Sequence, residues 1–314
     1  MKGGIKNITQ NNFVLSITTS VIIFCILWLL SATLAAQNTS FQYWFSSLRN
    51  HIPVSREVES SIIVVEIDSK TYNTLGFPMD RSEYGPVIDN LSQAVAAIGI
   101  DILFEDPSNP ASDSVLAESI QKSGKTLLGF SSIDNKPVIH APFQAVMLDT
   151  GFFDLEMDAI VHSVVVSKKL RDKKTYDYFP ISVLKQARPA VSVPEDDILL
   201  SFLPRRNFTR FSFLNIADED EFKTISQKTD FRDAIVLIIT ADGTKDVFST
   251  PNGQDYGVYV HANTINTILQ YHTQYFNPLI ERILLLLCLI LCYLNFTRSG
   301  WSLIVSNIAV VTIF

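Results

Sequence analysis

"SIIVVEIDSKTYNTLGFPMDRSEYGPVIDNLSQAVAAIGIDILFED" spans residues 61–106, and its reading decides the fold. It opens on Ser61 to Asp68, an apolar run rich in β-branched residues, the pattern of a strand buried on both faces. A turn with Gly76 and Pro78 follows. Asp80 or Ser82 then can cap a helix over 83–97, whose apolar face is Val87, Ile88, Leu91 and Val95. Pro86 falls in its first turns, where proline is tolerated. The stretch closes on a second strand, Ile98 to Phe104, apolar except for Asp101 and followed by Glu105 and Asp106. Strand, helix, strand within about 45 residues is a βαβ unit, so the two strands are expected to run parallel.

The pattern continues downstream. Asp113 is expected to cap a helix through Val115, Leu116 and Ile120 that stops at Gly124. Thr126 to Phe130, Val161 to Leu170, Ile198 to Leu203 and Ala234 to Thr240 read as strands, with a helix over Pro180 to Ala187. A polar loop, Ala241 to Gly257, precedes a last helix from about His261 to His272. There is no internal repeat. The expected fold is α/β: a single domain with a mostly parallel sheet flanked by helices.

The ends have a different character. Of 314 residues, 47% are hydrophobic and 18% charged, and the apolar excess collects at the termini. Phe13 to Ala36 holds no charge and is long enough for a membrane span over 13–36. A cleaved signal is the alternative, with Thr33-Leu34-Ala35 as the cleavage site, but the apolar core is too long for one. A second span is expected over 279–297, and a third begins at 301 and is still running at Phe314, so the chain reads as the N-terminal part of something longer. Lys2 and Lys6 before the first span and Arg298 after the second assign residues 1–12 and that turn to the cytoplasm and 37–278 to the outside.

That outer segment carries 21 Lys and Arg against 31 Asp and Glu, a net charge of −10, which argues against nucleic acid and anionic membrane surfaces as partners. The three cysteines, Cys25, Cys288 and Cys292, all lie in the expected spans, so no disulfide holds the outer domain. Its histidines have neither HxH nor HExxH spacing, so neither a metal nor a cofactor is expected, an oxygen-only Mg or Ca site being the alternative. No G-x-S-x-G elbow, Walker loop or G-x-G-x-x-G occurs, and no catalytic residue is assigned.

Three apolar strands end in polar residues: Glu66 and Asp68, Glu105 and Asp106, Thr240 and Asp242. Ligands of open parallel sheets sit outside such carboxyl ends. If the strands are neighbours, carboxylates converge there. Asp101, deeper in its strand, needs a partner, and Arg81 is the candidate. The alternative is that these residues are solvated or cap helices. An outer-face hydrolase using Asp68 and Asp101 as an acid–base pair is the second functional reading.

Four segments, 63–91, 97–120, 151–166 and 246–269, together resemble the type-2 CHASE domain, an extracytoplasmic sensory domain of bacterial receptors. Asp68, Leu75, Gly76, Pro78 and Arg81 match one family element, and D-x-F-x-T-P followed by G-V-x-x-H-A-N match another. The family's Asp-x-Asp-Gly-x-x-Arg is altered, with Ala159 at the glycine and His162 at the arginine. The resemblance implies a multi-pass inner-membrane receptor, working as a homodimer, whose outer domain detects a small molecule or envelope condition. A cyclase or kinase output would follow on the cytoplasmic side. With the residue reading, it makes Asp68, Arg81, Asp101, Asp246, Thr250, His261 and Asn263 the candidate ligand-binding set.

Overall fold

The computed structural model describes residues 57–155, 160–195, 197–241 and 247–271. All lie in one compact unit, Ser46–Thr273. The expected spans at 13–36 and 279–297, the third beginning at 301, the segment 1–12 and Asp246 lie outside the described residues. Among the described residues, no helix is long and apolar enough to cross a membrane.

The domain opens with β1 (Ile62–Ile67), buried along its whole length. Asp68 then caps α1 (Ser69–Leu75) by accepting from the Thr71 amide. Asp80 caps a single 3-10 turn, Arg81–Glu83, that leads into α2 (Tyr84–Ser92), which buries Val87, Ile88 and Leu91. β2 (Ala97–Asp101) follows, then α3 (Pro110–Ser123), which ends at Gly124 in the left-handed conformation that glycine adopts without strain. Next come β3 (Thr126–Phe130), the short α4 (Ala141–Gln144) and β4 (Asp149–Phe152). Small strands β5 (Ser163–Val164), β6 (Ser167–Lys169) and β7 (Thr175–Asp177) precede α5 (Phe179–Ala187). After β8 (Ile198–Leu199) and β9 (Thr209–Ser212) come α6 (Phe213–Ala217) and α7 (Glu219–Ser226). The chain then returns through β10 (Ile235–Thr240), a hairpin of β11 (Val247–Thr250) and β12 (Gly253–Tyr256), and α8 (Gly257–Tyr271).

Six strands form the central sheet in the order β4-β3-β2-β10-β1-β9. Every neighbouring pair is parallel. The βαβ unit exists, but β10 inserts between its two strands. β10 is apolar and buried from Ile235 to Ile239, between two neighbouring strands and under both faces. Alternating residues divide the core. Ile63, Val65, Ile98, Ile100, Val236 and Ile238 meet α2, α3 and α6. Ile62, Val64, Ala97, Ile235 and Leu237 meet α5 and α8 on the other side.

Several expectations are corrected. Asp113 does not cap α3; Asn109 does, with Pro110 in the first turn, and Asp113 sits one turn in with its carboxylate turned to other partners. The run 161–170 breaks into β5 and β6, and only the first two residues of 198–203 are strand. The loop 241–257 contains the β11–β12 hairpin, and α8 starts four residues before His261. The edge strands β4 and β9 were invisible because half-exposed edges need no apolar run.

Candidate functional site

The connections choose the site. From the carboxyl ends of β1 and β2 the chain leaves for α2 and α3 on one face. From β10, which lies between them, it leaves for α8 on the other. Connections that diverge in this way open a crevice at the carboxyl edge of a parallel sheet.

A cavity of about 210 Å³ lies there. Thr240, the last residue of β10, lines it together with Ile102 and Leu103 just beyond β2. Its walls are aromatic. Tyr72 of α1 meets Phe77 edge to face at 5.1 Å, and Tyr84 of α2 meets Phe104 the same way at 5.6 Å. The Tyr72 hydroxyl lies 3.2 Å from Thr240 Oγ1. Burial raises the Tyr84 phenol far above its ordinary pKa and keeps it protonated.

Arg81 also lines the cavity, but its charge is already matched. Nη1 donates to Asp113 Oδ1 and Nη2 to the Asp106 carbonyl, both at 2.8 Å. The guanidinium lies 5.3 Å from the Phe104 ring centre and 5.5 Å from that of Phe143. Asp113 further accepts from the Ser108 amide at 2.9 Å and faces His140 Nε2 at 3.3 Å. Burial pushes the Asp113 carboxyl up, and the Ser108 amide with the charges of Arg81 and His140 outweighs it, leaving the group below its usual range. Arg81 is therefore not the partner of Asp101.

Asp101 faces α8. Its Oδ2 lies 3.4 Å from His261 Nε2, and His261 Nδ1 lies 2.7 Å from the Tyr178 hydroxyl. Burial lowers the imidazole pKa to about 3, so the ring is neutral. A neutral ring has one donor and one acceptor. The proton fits on Nε2, towards the carboxylate, with Nδ1 accepting from Tyr178.

A second carboxylate stands level with the first. Glu66 and Asp101 are both in register with Ile239, on either side of β10, so they emerge on the same face about 10 Å apart at the backbone. Glu66 receives Arg205 through Nε at 3.0 Å and Nη2 at 2.8 Å, Arg210 Nη1 at 3.4 Å, and the hydroxyl of Tyr259 on α8. Burial raises its pKa, while the hydrogen bonds from Arg205 and Tyr259 and the two guanidinium charges lower it; the net shift is downward.

The remaining candidates are bound into the fold. Asp68 accepts from the Thr71 amide and hydroxyl, both at 2.8 Å. Asp68 and Asp101 thus have separate partners rather than sharing a proton. Thr250 donates to the Gly253 carbonyl at 2.7 Å and closes the β11–β12 turn. Asn263 accepts from the Leu203 amide at 2.7 Å and donates to the Tyr259 carbonyl at 2.7 Å. Near the end of α8, Asn266 Oδ1 accepts from the Glu59 amide at 2.8 Å, and Gln270 donates to the Glu59 carboxylate at 2.9 Å. The entrance to β1 is thereby tied to the exit of α8. Among the described residues, no group of three or more His, Cys, Asp or Glu could hold a metal ion.

Sequence reading missed Tyr72, Arg205 and Tyr259 as site residues. The Glu66–Arg205 pair spans 139 positions, and no local signal joins its members. A family model described as the CHASE2 domain matches residues 18–294. No curated protein and no solved structure matches the chain significantly.

Proposed function

Because the chain belongs to the CHASE2 domain family, whose members are extracytoplasmic sensory domains, we propose that residues 37–278 form the outer sensor of a multi-pass inner-membrane receptor. The sensor works as a homodimer, catalyses nothing itself, and biases a cytoplasmic output, a nucleotide cyclase or a kinase. Its signal enters at the carboxyl-edge cavity and leaves through α8.

The observation that supports this reading is the pair of polar ties between the sheet and α8. Asp101 of β2 faces His261, and Glu66 of β1 accepts from Tyr259. Both carboxylates sit at the carboxyl ends of their strands and face α8 rather than the cavity; the backbone links them to it, since Ile102 and Leu103 follow Asp101, and Thr240 follows Ile239, which the two carboxylates flank. Beyond α8 the chain runs on towards the expected second span. A ligand shifts such a system only by its different affinity for two arrangements of α8. Buried polar contacts, which are either made or broken, supply discrete arrangements.

The test is Asp101→Asn in the full-length receptor, with output measured per folded molecule. The substitution is expected to change basal output and leave the folded fraction near that of the native protein. If Asp101→Asn and Glu66→Gln only lower the amount of folded receptor, with output per molecule unchanged, the reading fails.

A further inference from the structure

We infer that the carboxyl-edge cavity takes a small neutral aromatic molecule carrying one hydroxyl or carbonyl group. This rests on the sensor reading for its purpose but not for its chemistry, which comes from the lining.

Size sets the first limit. The cavity measures about 210 Å³. An apolar cavity of about 150 Å³ holds benzene, so one substituted ring fills this one. Surface sets the second. Four aromatic rings, Tyr72, Phe77, Tyr84 and Phe104, line the space. Their edge-to-face pairs leave ring faces and edges of the kind aromatic ligands meet at favourable geometry. At the mouth, Phe77 is 72% exposed and Leu103 47%, apolar surface that a bound ring would cover.

Charge sets the third limit. The one cation among the described residues of the lining, Arg81, is matched by Asp113, itself nearly buried, and by the Asp106 carbonyl. An anion would have to compete with Asp113 for the guanidinium. Among the described residues of the lining a cation would meet no carboxylate, and either ion would lose its hydration among aromatic walls. The polar end of the ligand has a specific place. The Tyr72 and Thr240 hydroxyls are 3.2 Å apart, one donating to the other, and each oxygen keeps hydrogen-bonding capacity.

The experiment uses the whole chain in nanodiscs of zwitterionic lipid, titrated by saturation-transfer NMR. The probe is benzyl alcohol, with benzoate and benzylamine as charged analogues of the same ring. Saturable binding of the alcohol is expected, with both ions at least tenfold weaker. Leu103→Trp, which fills the mouth, is expected to weaken the alcohol at least tenfold in the same nanodiscs, which controls for lipid partition. Tyr72→Phe, which removes one hydroxyl and leaves the ring pair, is expected to weaken it about threefold, and it keeps the test open if the tryptophan variant does not fold. Absence of saturable binding, equal binding of either ion, or unaltered affinity in both variants overturns the inference. Failure here leaves the receptor reading standing if Asp101→Asn still changes output. Binding without any effect of Asp101→Asn would sink the receptor reading and keep the ligand class.

Discussion

Two helices cover opposite faces of the same sheet, and they are held by different physics. α2 is fixed by area: Val87, Ile88 and Leu91 are fully buried, and its main side-chain hydrogen bond runs from Asn90 to the Ile216 carbonyl. α8 is also buried, but half of what it buries is polar: His261, Asn263, Thr264, Asn266 and Thr267. His261 faces Asp101 of β2, Asn263 and Thr267 accept from amides of the loop before β9, Asn266 accepts from the chain entering β1, and Thr264 donates within α8 to the Val260 carbonyl. Apolar contact is non-directional and weakens gradually as a helix slides. A set of buried hydrogen bonds is satisfied in one register and costly in the others. The first arrangement suits a helix that stays; the second suits one that moves between defined positions.

The contrast can be tested in order of expected effect. Leu91→Ala should cost about 4 kcal/mol through the cavity it leaves, read by denaturant unfolding of the chain in detergent. The loss should fall on the cooperative transition as a whole. Glu66→Ala strands two guanidinium groups and the Tyr259 hydroxyl. It should cost about 3 kcal/mol, and hydrogen exchange should quicken in α8 before the sheet. Equal quickening in both would erase the distinction between the helices.

The third test is pH. The folded His261 titrates near 3 against an ordinary value of 6.5. Between those values the unfolded chain binds a proton that the folded chain refuses, so stability falls as pH falls. From pH 7.5 to pH 5 the loss should be about 2 kcal/mol. His261→Gln should flatten the slope in this window. The lowered carboxyls of Glu66 and Asp113 add their own losses only in more acid solution. The smallest effect is Arg210→Ala. Its contact with Glu66 is long, at 3.4 Å, and its side chain is 36% exposed. Less than about 1 kcal/mol should be lost. A large loss would mean that the two arginines hold Glu66 jointly.

The fold was legible where burial writes a continuous pattern. β1, β2, β3 and β10 are short apolar runs because parallel strands covered on both faces leave no room for alternation. The Gly124 stop of α3 was also a local matter, decided within a few residues of chain, whereas α1, capped by Asp68, stands where only a turn was expected. Asp113 shows the limit of that logic. A helix start with Asn109, Pro110 and Asp113 offers two possible caps, and the choice went to Asn109 because Arg81, 32 positions earlier, claims the aspartate.

The sequence by itself therefore determined the central strands β1, β2, β3 and β10, the class of sheet and the presence of carboxylates at strand ends. Their placement followed from local hydrophobic pattern and backbone preference, which act over a few residues. Tertiary structure alone decided that β10 would part β1 from β2, and so that Asp101 and Glu66 would flank one residue and reach up to one helix. It also gave Asp101 a histidine 160 positions away rather than the nearby arginine. Partner choice among buried charges depends on which strands become neighbours, and strand order is set by the packing of the whole sheet.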